Sequence, residues 1–88
     1  MRLDQFLQRT GIFRQRTSAA RSLKAGLVLV DGAPAKPAST VRAGQRLRVE
    51  AGREVREWEV LEVPSGTVPR SARDQYVRLV STQPRDPS

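Results

Sequence analysis

Leu3, Phe6 and Leu7 recur at i, i+3 and i+4, a spacing that predicts a first helix over residues 2–10 with those three side chains on its core face. Arg2, Gln5 and Arg9 fall on the polar side, with Arg2 and Arg9 one heptad apart. Asp4 lies in the first turn, where a negative charge suits the helix dipole. Gly11 ends the helix, and Ile12-Phe13 are expected to tuck into the core as the chain turns. A second helix is expected to open near Thr17, whose hydroxyl can accept a hydrogen bond from an unpaired first-turn N–H. Ala19, Ala20 and Leu23 give it a narrow apolar face, while Arg21 and Lys24, three apart, share another. Gly26 supplies the left-handed residue that ends many helices. Leu27–Val30 then reads as a short strand, closed by a tight Asp31-Gly32 hairpin turn.

The next segment, A-P-A-K-P-A-S-T, carries two prolines and reads as an edge strand or an extended loop. Leu47 and Val49 alternate with Arg46, Arg48 and Glu50 and predict a strand, with Ala51-Gly52 as the following turn. Residues 55–63 predict a longer strand, but Trp58, Val60, Leu61 and Val63 break the period of two, as a bulge or a change of burial within the strand would. Glu57, Glu59 and Glu62 make that strand acidic and set it apart from any polyanion-binding face. Ser71–Gln75 can form one helical turn, and Tyr76–Val80 reads as a closing strand. The elements make a single α+β domain over residues 1–82, with residues 83–88 a disordered tail.

Charge separates the two halves. Residues 1–48 hold ten Lys/Arg against Asp4 and Asp31, a net +8, whereas residues 49–88 hold six against seven acidic residues, a net −1. A one-sided positive field points to a polyanionic partner. A membrane surface fits less well, because the basic segments lack a long Trp/Phe/Leu-rich amphipathic helix. Fourteen of the sixteen cations are arginines, a bias shared by the acidic half, so position carries more information here than residue type.

The positions are informative. Arg14 and Arg16 lie beside the second helix's N-terminus, where a cation is ordinarily unfavourable by roughly 0.3–1 kcal/mol. Two guanidiniums next to outward-pointing amides form an anion site suited to phosphate. Lys36, between Ala35 and Pro37, is a further candidate phosphate contact. Asp4 either balances local charge, orients Arg2 or Arg16, or accepts a hydrogen bond from a ribose hydroxyl. The chain has no cysteine and no histidine, so there is no disulfide, no thiolate or imidazole metal site, and no Cys or His catalyst. Catalysis would rest on Asp4, Asp31 or the glutamates of residues 50–62, which alternate like a solvated strand face; no enzymatic activity, cofactor or metal is expected. No apolar run reaches membrane-spanning length, and the N-terminus lacks a signal-peptide stretch, so a cytoplasmic location is expected.

The order of these parts, R-L-D-Q-F-L, R-Q-R-T-S-A-A-R-S-L-K-A-G, L-V-L-V-D-G, A-K-P and V-R-A-G-Q-R-L-R-V, resembles the S4 RNA-binding domain over about residues 1–50. The opening R-L-D-Q-F-L and the closing D-Q-Y-V-R-L-V resemble a narrower group end to end: small stand-alone S4 proteins of the RqcP type, related to the heat-shock S4 protein that recycles stalled large subunits. The resemblance implies an S4-type fold with two N-terminal helices packed on a small, mostly antiparallel sheet. It implies binding to rRNA and tRNA on large ribosomal subunits that retain peptidyl-tRNA, in ribosome-associated quality control, with an NFACT-type (RqcH-like) partner. The family's RNA-facing positions fall on Arg2, Asp4 and Arg16, and its neighbouring basic positions on Arg14, Arg21 and Lys24. With Arg9 and Lys36, these make the expected RNA-binding set of a monomer. Gly11 and Gln15 stand where the family tends to carry basic residues, and the basic C-terminal extension of the heat-shock branch has no counterpart here.

Two other nucleic-acid readings compete. A DNA-binding helix-turn-helix is disfavoured by the strand that directly follows the second helix and by that helix's Ala-rich middle. A general rRNA-binding or small-subunit assembly role of S4 type stands as the alternative, since the same basic face suits either subunit.

Overall fold

The structure, a computed structural model, describes residues 1–85 of the 88-residue chain. Helix α1 spans Leu3–Arg9 and helix α2 spans Arg16–Lys24. They are followed by strands β1 (Val28–Val30), β2 (Ala33–Pro34), β3 (Arg46–Ala51) and β4 (Glu54–Val60). A 3₁₀ turn at Arg70–Ala72 runs into the one-turn helix α3 (Arg73–Tyr76), and β5 (Val77–Pro84) closes the sheet. The five strands lie in the order β2-β1-β3-β4-β5, every neighbouring pair antiparallel.

The core forms where the helical stripe meets the inward positions of the sheet. Leu3, Phe6 and Leu7 from α1 and Ala19 and Leu23 from α2 are buried with Val28, Leu47, Val49, Trp58, Val60 and Val77. Ile12 and Phe13 are half-buried against this cluster, so the turn between the helices is itself packed. Thr10, at the end of α1, is buried and donates its hydroxyl to the Phe6 carbonyl at 2.8 Å.

The Asp31-Gly32 turn forms as its sequence predicts, with φ of 50° and 85° at the two residues. Positive φ at both central positions matches the right-handed twist of the flanking strands. Asp31 also ties the turn to β3: its Oδ1 accepts from the Arg46 N–H at 2.9 Å, and its own N–H donates to the Arg46 carbonyl at 2.8 Å. Asp31 is therefore occupied structurally. β2 is a two-residue edge strand ending in Pro34, consistent with a proline that cannot donate to the ladder.

Most boundaries fall within one or two residues of the sequence expectation, and three of the differences have a physical reason. Helix α2 begins at Arg16 rather than near Thr17, and no side chain caps it. β4 stops at Val60 rather than Val63, because the Leu61 and Glu62 N–H groups turn aside to the Tyr76 carbonyl. The expected bulge in β4 is present, as a register shift at Glu57/Trp58. β5 runs on to Pro84, two residues into the segment expected to be a disordered tail. Gln83 pairs with Val55 and Pro84 with Glu54, and the Arg85 N–H reaches the Arg53 carbonyl at 2.9 Å. The sheet thus extends beyond the expected domain end at residue 82, and the remainder of the expected tail, residues 86–88, lies outside the described residues.

Candidate nucleic-acid interface

The two helices meet the loop before β3 at one corner of the molecule. The first orphan amides of α1 are satisfied there by backbone: Leu3 N–H donates to the Ser39 carbonyl at 2.8 Å and Asp4 N–H to the Pro37 carbonyl at 3.1 Å. Arg2 bridges to Thr40, and the Val41 N–H returns to the Met1 carbonyl. These bonds hold Lys36-Pro37 beside the start of α1, with the exposed Lys36 on the rim.

Asp4 is the centre of the corner. Its residue is only 3 % exposed, yet it carries a carboxylate. Arg2 donates from Nε to Oδ1 at 3.2 Å and from Nη2 to Oδ2 at 3.3 Å. Arg16 Nε lies 3.3 Å from Oδ2, and the Gln5 N–H donates to Oδ1 at 2.8 Å. Burial pushes the Asp4 carboxyl up, but the hydrogen bonds from Arg2, the Gln5 amide and Arg16, with the Arg16 charge, outweigh it and hold the group below its ordinary 3.8. The arginines themselves remain about half exposed, with side-chain exposures of 51 % and 48 %. One buried carboxylate therefore positions two guanidiniums side by side while leaving their outer N–H groups free to face a ligand. That is pre-organisation for bidentate phosphate recognition. It also explains why α2 starts at Arg16: the first-turn arginine is drawn over Asp4 of the other helix, which offsets the unfavourable dipole position.

A group with a depressed native pKa contributes stability that is present above its unfolded value and lost as pH falls through the native one. The parent is therefore expected to lose melting temperature as pH drops below about 5 and past 3.8, more steeply than Asp4→Asn does. Thermal melts at constant ionic strength between pH 7 and pH 3 check this; parallel curves for the two proteins would show that the Asp4 pairs contribute nothing.

The other expected residues are distributed around this centre. Arg21 and Lys24 are exposed on α2, whose opposite face carries the buried Ala19 and Leu23. Neither has a carboxylate within ion-pair distance among the described residues. Arg9 sits at the far end of α1 from Arg2, about 10 Å along the axis for seven residues of helix. Arg9 and Arg14 line a separate concavity rather than joining Asp4. The structure thus gathers Arg2, Asp4, Arg16 and the Lys36 loop and leaves Arg9 and Arg14 apart from that group.

Three of the four strand arginines, all but Arg48, behave differently. Arg46 pairs with Glu57 at 3.5 Å, Arg56 with Glu54 at 2.9 Å, and Arg78 with Glu59 at 2.6 Å. Hydrogen bonding from Arg78 is the chief reason the Glu59 carboxyl is held below its usual range. The acidic strand neutralises its own sheet, and net positive potential is left to the helices. Among the described residues no three His, Cys, Asp or Glu side chains come together to hold a metal, and no helix is long and apolar enough to cross a membrane.

Residues 1–47, which contain both helices, the Asp4 cluster and the Asp31-Gly32 turn, match the family model of the S4 domain. The chain belongs to the S4 domain family. It is 31 % identical over 78 residues to a Helicobacter pylori protein named RQC P-site tRNA stabilizing factor, covering 88 % of this chain and 93 % of that one. The Bacillus subtilis protein of the same name is 32 % identical over 79 residues, covering 90 % and 92 %. Among solved structures, the fold superposes on Vibrio cholerae Heat Shock Protein 15 with a TM-score of 0.85 at 21 % identity, covering 92 % of this chain and 82 % of that one. A hypothetical protein, HP1423, matches with a TM-score of 0.79 at 28 % identity, covering 94 % and 100 %. Both similarities cover more than nine-tenths of this chain, well beyond the 47 residues of the S4 match.

Proposed function

We propose that this S4 protein binds RNA on the large ribosomal subunit while peptidyl-tRNA is still held there, stabilising that tRNA in ribosome-associated quality control of stalled nascent chains. The observation that carries the RNA-binding step is the buried Asp4 with Arg2 and Arg16 fixed upon it. The ribosomal context draws its support from relatives named as RQC P-site tRNA stabilizing factors that match almost end to end. Paired guanidiniums, with the exposed Lys36 beside the start of α1 and the exposed Arg21 and Lys24 further along α2, bridge phosphates of a folded RNA and read its shape rather than its bases. The role is one of binding, without catalysis or cofactor. The protein acts in the cytoplasm as a monomer, alongside an NFACT-type (RqcH-like) factor that extends the nascent chain.

Affinity should therefore depend on salt and on the corner residues. Arg16→Ala is expected to weaken binding to large subunits carrying peptidyl-tRNA by tenfold or more, and to flatten the slope of log affinity against log salt by roughly one unit. Arg78→Ala, which removes a cation already paired on the sheet, is expected to bind within about twofold of the parent. Filter binding across a salt series measures both. Equal losses in the two variants would mean that net charge, and not the Asp4 corner, governs binding.

A further inference from the structure

A second concavity lies at the other end of α1. It is an open cleft of about 620 Å³ between the α1–α2 turn and the segment that leads into α3. Arg9, Phe13 and Arg14 line one side, and Val68, Pro69 and Arg73 the other. Three arginines thus line one hollow, and among the described residues no Asp or Glu lines it. None of the three has a carboxylate within ion-pair distance among the described residues, in contrast to Arg46, Arg56 and Arg78 on the sheet.

The cleft is also held in shape. The Arg73 guanidinium lies over the Trp58 ring, 4.7 Å from its centroid, and Trp58 is buried in the core. Such stacking restrains the arginine without neutralising it. Arg9 is half-buried at the end of α1. Phe13 packs against the core, and its N–H is fixed to the Leu7 carbonyl at 3.0 Å. Like charges lining one hollow repel one another, and a polyanion relieves that repulsion. Side chains already ordered by packing lose little entropy on binding.

We infer that this cleft is a second RNA-backbone site, in which Arg9, Arg14 and Arg73 take phosphates of an RNA segment distinct from the one held at Arg2, Asp4 and Arg16. The inference rests on the RNA-binding reading above and adds to it a second strand, with Phe13 offering an apolar wall to a ribose or base. The two sites lie at opposite ends of one seven-residue helix, so α1 acts as a rigid spacer between two RNA segments. Large-subunit rRNA and the bound tRNA both present the required phosphodiester chain.

The full-length protein is tested with a benzophenone photo-crosslinker placed at Val68, on the cleft, or at the exposed Ala38, beside the α1 N-terminus. Both probes are bound to large subunits carrying peptidyl-tRNA, and the attached RNA is sequenced. Val68 is expected to capture a different stretch of nucleotides from Ala38, and the sequence assigns it to rRNA or tRNA. Alongside, Arg9→Gln/Arg14→Gln is expected to weaken binding at least tenfold and lower the salt slope by roughly one to two units. Arg73→Gln is expected to do likewise and Arg73→Lys to restore part of the loss; the Arg9 and Arg14 changes do not disturb the Trp58 stack. Crosslinks from Val68 to protein only, to no RNA, or to the same nucleotides as Ala38 would overturn the second site. So would Arg9→Gln/Arg14→Gln binding with the parent's affinity and slope. If Arg16→Ala still weakens binding in that case, the cleft alone is wrong; if Arg16→Ala is silent as well, the RNA-binding reading and the cleft fall together.

Discussion

Arg2→Ala/Arg16→Ala is expected to abolish measurable binding to the large subunit and to destabilise the fold at the same time. Both effects come from Asp4. With its two guanidiniums gone, the carboxylate keeps only the Gln5 amide as a hydrogen-bond partner within a packed corner. Truncating the arginines also opens the group to water, so the cost is set near that of a buried polar group losing partners, roughly 1–3 kcal/mol, rather than that of a deeply buried ion. Adding Asp4→Asn removes the unpaired charge. The triple variant is therefore expected to recover most of the lost melting temperature while binding no better than the double. Recovery of binding in the triple variant would mean that the double had failed only by unfolding, and the assignment of the two arginines to the ligand would be wrong. Single replacements behave unequally. Arg2 makes two hydrogen bonds to Asp4 and Arg16 one contact, so Arg16→Ala leaves the corner better ordered.

Phe6→Ala is expected to have the largest effect on stability alone. Phe6 is fully buried in the cluster that joins both helices to the sheet. Its truncation is expected to cost about 3–5 kcal/mol through lost transfer energy and the cavity left behind. A domain of this size has a total stability of only about 5–15 kcal/mol. The melting temperature should fall by roughly 12 °C or more. Calorimetry or circular dichroism measures this directly, and a fall of only a few degrees would mean that the helices contribute far less to the core than their burial indicates. Phe6 occupies neither RNA site, so below its lower melting point the variant should still bind.

The sequence made the helices, the hairpin turn and the Asp4 corner legible for separate reasons. Leu3, Phe6 and Leu7 announce a buried stripe by spacing alone, and Asp31-Gly32 announces a turn because both residues tolerate positive φ. The broken alternation of Trp58, Val60, Leu61 and Val63 pointed to a bulge or a change of burial without placing it; the register shift lies at Glu57/Trp58, and the strand ends at Val60. What was not legible depends on partners distant in sequence. Thr17 looked like a helix cap by residue type, but Arg16 is held by Asp4 of α1, a tertiary contact that outweighs the local preference. Gln83 and Pro84 look like tail residues until β4 supplies Val55 and Glu54 as partners. Arg73 carries no local signal at all. It lines the cleft and stacks over Trp58, fifteen residues earlier in the chain, only in the folded protein. Spacing likewise put Arg2 and Arg9 on one helical face, but it could not show that the folded chain pairs Arg2 with Asp4 and leaves Arg9 on a separate cleft.

The most direct test of the central claim is co-sedimentation of the purified full-length protein with three targets over one salt series: empty large subunits, large subunits carrying peptidyl-tRNA, and small subunits. The expected result is a clear preference for the tRNA-carrying large subunit, of at least tenfold at near-physiological salt, lost with Arg16→Ala. Preference for small subunits, or equal and equally salt-sensitive binding to all three, would contradict a role at peptidyl-tRNA on the large subunit and leave the general rRNA-binding alternative in its place.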